Sequence, residues 1–329
     1  MLFQNAKHPV EMKVTHLNKV KAQRKQQLQL QMVNDKGLIS LISRAFTDLT
    51  KKDNPKKTSK FGLFKNKAAN KNCFVLDFHG DIKATEVQQL REEISTLLTV
   101  AQAEDEVIVR LESSGGMVHA YGLAAAQLAR IKEAGLNLTV CIDKVAASGG
   151  YMMACVADKI LAAPFAVVGS IGVVAQVPNF HDLLEKHDID VEVFTAGKYK
   201  RTVTVFGENT EEDKQKFQQE LEETHKLFKD FVRKYRPSLD VEQVATGEHW
   251  YGEDAITRNL VDALQTSDSY ILEKMTDSEL YAIQSRQKPT IAQKLGISQA
   301  AQAVVATAID KLPDTLAKLE SAKMPMVKK

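Results

Sequence analysis

Two runs of this sequence carry residues that can do acyl-transfer chemistry together. Ser148 stands in Lys144-Val-Ala-Ala-Ser-Gly-Gly-Tyr-Met-Met-Ala154, and Lys200 in Thr195-Ala-Gly-Lys-Tyr-Lys-Arg201. A serine hydroxyl is a weak nucleophile at neutral pH, so another group must take its proton as it attacks. Histidine is the usual choice. Here the histidines at 79, 119, 181, 187, 225 and 249 follow no spacing that identifies a triad. His119, three residues beyond Gly116, stays open as an alternative base, and Lys144 and Lys198 are competing amines. A lysine acts as a base only when neutral. Lowering its pKa from about 10.4 to about 7 or 8 takes burial or a neighbouring cation, at roughly 3 to 5 kcal/mol. The strand-forming residues Val191 to Thr195 and Thr202 to Val205 flank Lys200 and fit a partly apolar wall around it.

Acyl transfer also needs backbone N–H groups aimed at the developing oxyanion. Gly115 and Gly116, in Leu111-Glu-Ser-Ser-Gly-Gly116, offer unobstructed backbone at the end of an apolar strand, and Gly149 follows the serine directly. If Ser148 opens a helix, the positive end of that helix adds to the stabilisation.

The elements that must hold these groups repeat in pairs. Cys73 to Phe78 is a short apolar run, followed by Val87, Leu90, Ile94, Leu97 and Leu98 at helical spacing. Val107 to Leu111 leads into a helix from about 117 to 134, and Leu136 to Ile142 into a helix starting near Ser148. Repeated βα units imply a mainly parallel sheet with right-handed crossovers. A long helix is expected from Asn209 or Thr210, with Asn209 and Glu212 as a capping box, to about Arg236 before Pro237. Phe217, Leu221, Phe228, Phe231 and Tyr235 line one of its faces. We expect three parts: a basic, partly helical extension and linker over 1–72, a catalytic domain over 73–285, and an Ala- and Lys-rich helical tail over 286–329.

Composition narrows the classes. A hydrophobic content of 44% excludes a disordered chain. Residues 1–72 hold 16 Lys and Arg against 4 Asp and Glu, while the remainder holds 28 against 38, so a basic head precedes an acidic body. With few aromatic residues for base stacking and no nucleic-acid module, the head points to an anionic membrane surface rather than to nucleic acid. Leu38, Ile39, Leu41, Ile42, Ala45, Phe46 and Leu49 recur at helical spacing, as in an interfacial helix or one docked on another subunit. Lys51 to Lys71 reads as a mobile linker. Cys73, Cys141 and Cys155 match neither a zinc site nor a redox pair and are expected in the core. No run of 18 apolar residues and no signal-peptide pattern is present.

Four blocks in order resemble the bacterial protease IV (signal peptide peptidase A) family: Leu111 to Gly116, the Ser148 run, Gly169-Ser-Ile-Gly172 and the Lys200 run. Residues 73 to 275 most closely resemble its SohB-type single-domain members. The resemblance implies a ClpP/crotonase-like spiral α/β fold and a serine peptidase with a Ser148/Lys200 dyad. It implies that Ser170 hydrogen-bonds and orients the lysine, that no metal or nucleotide is needed, and that substrates are extended apolar peptides such as residual signal peptides. It further implies ring-like homo-oligomers and an inner-membrane location with a periplasmic peptidase domain. Such relatives begin with a membrane-spanning helix, so a chain shortened at its N-terminus is expected. Two departures stand out. Ser114 replaces the family's usual proline, which leaves a looser loop, and Asn259 replaces the glycine of a Gly-Leu-Val-Asp turn that asparagine also tolerates. Two other classes stay open: a non-catalytic membrane-associated scaffold, and a crotonase-type enzyme acting on thioesters of coenzyme A.

Overall fold

The computed structural model describes residues 10–32 and 71–287. The apolar stretch 38–49, the lysine-rich 51–70 and the tail beyond 287 lie outside the described residues. Met12–Ser285 forms one compact unit, and Met1–Glu11 with Arg286–Lys329 form a second. Of the second unit, only residues 10, 11, 286 and 287 are described, as ends of two strands.

The chain runs β1 (Val10–His16), α1 (Leu17–Met32), β2 (Lys71–Gly80), α2 (Val87–Leu97), β3 (Glu106–Ser113), α3 (Val118–Glu133), β4 (Asn137–Ile142), β5 (Val145–Ala147) and α4 (Gly149–Ala154). It continues through β6 (Lys159–Ala162), β7 (Val167–Gly169), α5 (His181–Glu185), α6 (Glu211–Tyr235), α7 (Val241–Val244), β8 (His249–Tyr251), α8 (Gly252–Thr257), β9 (Ala263–Leu264), α9 (Ser267–Lys274) and β10 (Ser278–Gln287). The sheet order is β1-β10-β2-β3-β4-β6-β9, with β5 bridging β3 and β7 and β8 pairing β7. The pairings of β2, β3, β4, β6 and β9 along this path are parallel, and β8 on β7 is antiparallel. This is the α/β sheet of βα units that the periodicity predicts.

Central strands are apolar on both faces because both faces are covered. Leu76, Phe78, Val107, Val109, Leu138 and Val140 meet α2, α3 and α4 in the main core. Val75, Ile108, Cys141, Leu161 and Leu280 form a smaller core against Tyr270 and Ile271 of α9. Each large side chain so buried contributes about 1.5 to 3 kcal/mol relative to exposure. The three cysteines are buried and unpaired, as expected.

The sheet is open where the site will lie. β3 pairs β4 as far as Arg110 opposite Cys141, after which β4 ends and Ser113 instead faces Ala146 of β5. The loop carrying Gly115 and Gly116 thus leaves the carboxyl end of β3 beside the strand that leads to Ser148, the usual place for a site in an open parallel sheet.

Two expectations are corrected. The long helix is capped by Thr210 and Asp213, not by Asn209 and Glu212: Asp213 N–H donates to Thr210 Oγ1, and Thr210 N–H to Asp213 Oδ2. Asn209 instead accepts from Thr204 N–H, closing the preceding loop. The N-terminal extension, expected to be partly helical, contains the helix α1 but also contributes a strand that was not expected. β1 pairs β10, and Asn18 at the start of α1 donates to the Ser278 carbonyl and accepts from Leu280 N–H. α1 itself buries none of its side chains, as a helix without an apolar stripe should.

Candidate active site

Ser148 is held by the strand in front of it. β5 and β7 run parallel with Ala147 opposite Gly169, and Ser148 N–H donates to the Gly169 carbonyl at 2.8 Å. The chain then turns sharply: Ser148 has φ 52° and ψ −119°, a conformation that non-glycine residues avoid at a cost of about 1 to 3 kcal/mol. α4 starts at the next residue, and the Ser148 side chain caps nothing, so its hydroxyl is not committed to the helix. It lines a small cleft with Gly116, Gly149, Val118, Met152 and, from α6, Phe228. A half-buried serine in strained backbone at the mouth of an apolar cleft is suited to attack a carbonyl.

Ser170 stands beside it in the same register, one residue past Gly169. It too has positive φ, 51°, and its N–H donates to the Glu248 carbonyl at 2.6 Å. Ser148 and Ser170 thus each follow a residue of the pair Ala147 and Gly169, at the ends of neighbouring strands. Gly172 lines the cleft, and His225 Nε2 lies 3.2 Å from the Ile171 carbonyl between them, tying α6 to this wall.

The three glycines take different parts. Gly115, at φ 89°, lies so close to the nucleophile that a Cβ there would be 2.8 Å from Ser148 Cβ. Its N–H, however, donates to Ser113 Oγ at 3.0 Å and is spent. Gly115 thus shapes the loop, whereas the N–H groups of Gly116 and Gly149 carry no internal hydrogen bond among the described residues. The missing proline is offset by Ser113 Oγ, which accepts from Gly115, and by Met117 N–H, which donates to the Ile82 carbonyl at 2.8 Å.

Lys200 does not line the cleft that holds Ser148. It is exposed, in a turn closed by its own N–H on the Gly197 carbonyl. The apolar wall expected from Val191 to Thr195 and Thr202 to Val205 does not form around it, and neither segment is a strand. These residues belong to an arm pinched at its base, where Asn179 Nδ2 donates to the Thr204 and Gly207 carbonyls and Phe180 N–H to the Val205 carbonyl. On the arm, Leu183, Ile189, Val193 and Phe194 are exposed, Phe194 at 88%. The competing lysines are engaged elsewhere. Lys198 Nζ lies 2.7 Å from Glu212, whose hydrogen bond holds its pKa well above the usual lysine value, the wrong direction for a base. Lys144 pairs with Glu112 at 3.0 Å. His119 is exposed and does not line the cleft. Among the described residues, His181, Asp182 and Glu185 at the start of the arm bring possible ligand atoms within 4.8 Å of one another, but nothing in the chemistry requires a metal there.

Sequence reading missed Tyr121. It is buried in α3, and its hydroxyl meets Ser113 Oγ at 2.5 Å and donates to the Asp81 carbonyl at 2.7 Å. No motif spacing links it to the serine; only the fold does. Asn259, by contrast, adopts φ 59°, the left-handed conformation its place in the turn required.

The peptidase family S49 model matches residues 130–281 and its N-terminal companion residues 2–128. The Probable protease SohB of Haemophilus influenzae is 65% identical over 223 residues, covering 68% of this chain and 63% of that protein. The Probable protease SohB of Buchnera aphidicola subsp. Schlechtendalia chinensis is 55% identical over 218 residues, covering 66% and 70%. The chain belongs to peptidase family S49. It spans about two thirds of the length of these SohB-type relatives. Among solved structures, a mutant of the 1510-N membrane-bound stomatin-specific protease in complex with a substrate peptide aligns with a TM-score of 0.41 at 13% identity, over 70% of this chain and 97% of that one. Among the described residues, no helix is long and apolar enough to cross a membrane.

Proposed function

We propose that this chain is a serine endopeptidase that cleaves extended apolar peptides, residual signal peptides and membrane-proximal segments among them. The carrying observation is Ser148 itself: a serine in strained backbone, opening a helix beside an apolar cleft, with two unspent glycine N–H groups next to it. In the reaction, Lys200 takes the hydroxyl proton, Ser148 Oγ attacks the peptide carbonyl, and the N–H groups of Gly116 and Gly149 receive the oxyanion. The amine product leaves with the proton, and water activated by Lys200 releases the acyl group. Ser170, beside Ser148, orients the lysine.

Lys200 must lose both its exposure and its charge, and a second copy of the chain supplies the means. Leu183, Ile189, Val193 and Phe194 on its arm stay exposed among the described residues, so their burial in a homo-oligomer would desolvate the lysine and bring it to a serine. The basic N-terminal region holds the assembly to an anionic membrane surface, in keeping with an inner-membrane peptidase facing the periplasm. The exposed Lys200 of the single chain also fits a non-catalytic scaffold. Reaction with a fluorophosphonate probe separates the two. The peptidase predicts a covalent adduct mapped by mass spectrometry to Ser148 and absent from Ser148→Ala and Lys200→Ala. An assembled oligomer in which Ser148 stays unlabelled would leave the scaffold.

A further inference from the structure

Beneath the glycine loop runs a chain of hydrogen bonds whose direction follows from proton counting. Tyr121 has one hydroxyl proton, which goes to the Asp81 carbonyl at 2.7 Å. The Ser113 hydroxyl has two acceptors in reach, Tyr121 Oη at 2.5 Å and the Gly80 carbonyl at 3.3 Å, and the shorter contact to Tyr121 takes its proton. That leaves Ser113 Oγ as the acceptor for Gly115 N–H at 3.0 Å. The order is Gly115 N–H to Ser113 to Tyr121 to Asp81 C=O, and bonds aligned head to tail in this way strengthen one another in a buried setting. Ser113 and Tyr121 are 2% and 0% exposed. Burial also raises the phenol pKa, which keeps the proton in place.

The tyrosine touches the other half of the site as well. A Cβ on Gly149 would lie 2.4 Å from Tyr121 Cγ, so the bare Cα of Gly149 rests on the ring. One side chain therefore bears on both candidate oxyanion donors, through its hydroxyl on the loop leading to Gly116 and through its ring on Gly149. The 81–84 turn braces the same loop from outside: a Cβ on Gly116 would lie 2.2 Å from the Ile82 carbonyl oxygen.

We infer that Tyr121 and Ser113 are positioning residues that set the distance and angle between the Gly116 and Gly149 N–H groups, and so preorganise the oxyanion hole for hydrolysis at Ser148. This rests on the peptidase reading above. They touch neither substrate nor reacting atoms; they act by removing freedom from the loop, which in this chain lacks a stiffening proline at position 114. Electrostatic stabilisation of this kind is effective only when the donors are fixed in advance.

The test uses the full chain with Tyr121→Phe, Ser113→Ala and the double variant, assayed on a quenched apolar peptide and with a peptidyl aldehyde whose hemiacetal with serine mimics the oxyanion. Tyr121→Phe keeps the ring on Gly149 and removes only the hydroxyl. The expected result is a kcat lower by about tenfold or more with KM little changed, and aldehyde affinity falling in parallel with kcat/KM. The double variant should lose no more than the worse single one, because both break one chain. Wild-type kcat and aldehyde affinity in folded Tyr121→Phe would overturn the inference, as would losses confined to thermal stability. A wild-type chain whose hydrolysis survives Ser148→Ala would instead remove the peptidase reading on which the inference stands.

Discussion

Replacing Glu93 by glutamine should convert a pH-dependent stability into a nearly flat one. Glu93 is 3% exposed in α2 and accepts Ser285 N–H of β10 at 2.7 Å. Burial is the leading effect on its carboxyl and pushes its pKa from 4.5 up to about 7, although the Ser285 bond pulls the other way. The folded chain thus keeps this proton to about pH 7, whereas the unfolded chain releases it near 4.5. Its contribution to stability is fully present below pH 4.5 and is lost as pH rises through 7. A displacement of about 2.5 pH units corresponds to about 3 kcal/mol in total, of which about 2 kcal/mol falls between pH 5 and 8. Glutamine keeps a carbonyl to accept from Ser285 and has no charge to bury. Urea unfolding of both chains by circular dichroism from pH 5 to 8.5 should show Glu93→Gln gaining about 2 kcal/mol on the wild type across that range. A difference that stays constant with pH would refute the reasoning.

Other consequences follow from packing. Asp262→Asn should destabilise the fold by about 3 kcal/mol in urea at pH 7.5, because Arg236, buried and bound to both Asp262 oxygens at 2.7 and 2.9 Å, would keep its charge without its counterion. Gly150→Ala would set a Cβ 2.5 Å from the Ser113 carbonyl oxygen, so α4 must shift, with about 1 to 3 kcal/mol of lost stability and a large loss of peptide hydrolysis. Gly122→Ala is the control. It lies inside α3 with nothing within 4 Å of its Cβ position, so thermal unfolding should show a gain of about 0.5 to 1 kcal/mol with kcat unchanged.

Much of the scaffold could be read from the chain because its signals are local. The apolar runs at 73–78, 107–111 and 136–142 became parallel strands, and Asn259 took the left-handed backbone that its turn demands. Ser148 and Gly149 follow β5, Gly116 lies in the loop after β3, and the pairing of these two strands brings the three to one cleft; the repeated units implied a parallel sheet but not its strand order. What escaped was set by contacts distant in sequence. β1 is too polar to announce itself and is fixed by pairing with β10, more than 250 residues on, and by Asn18 clamping Ser278 and Leu280. Asn209 looked like a cap, but Thr204 N–H claims its side chain, and the cap passes to Thr210. Gly115 looked like an oxyanion donor until Ser113, two residues away, turned back to take its N–H. Tyr121 was one tyrosine on a helical face until the fold set it under two glycines. Lys200 stays exposed in the single chain, as do Leu183, Ile189, Val193 and Phe194 on its arm, so no local signal in the sequence could show its burial.

The central claim, a serine nucleophile served by a lysine base, is tested most directly by hydrolysis of quenched apolar peptides from pH 6 to 10 by the wild type, Ser148→Ala, Lys200→Ala and Lys198→Ala. The account predicts wild-type activity that rises through an apparent pKa well below about 10.4, vanishes with Ser148 or Lys200, and persists without Lys198. Hydrolysis that survives Lys200→Ala, or that depends on His119 in its place, would contradict it.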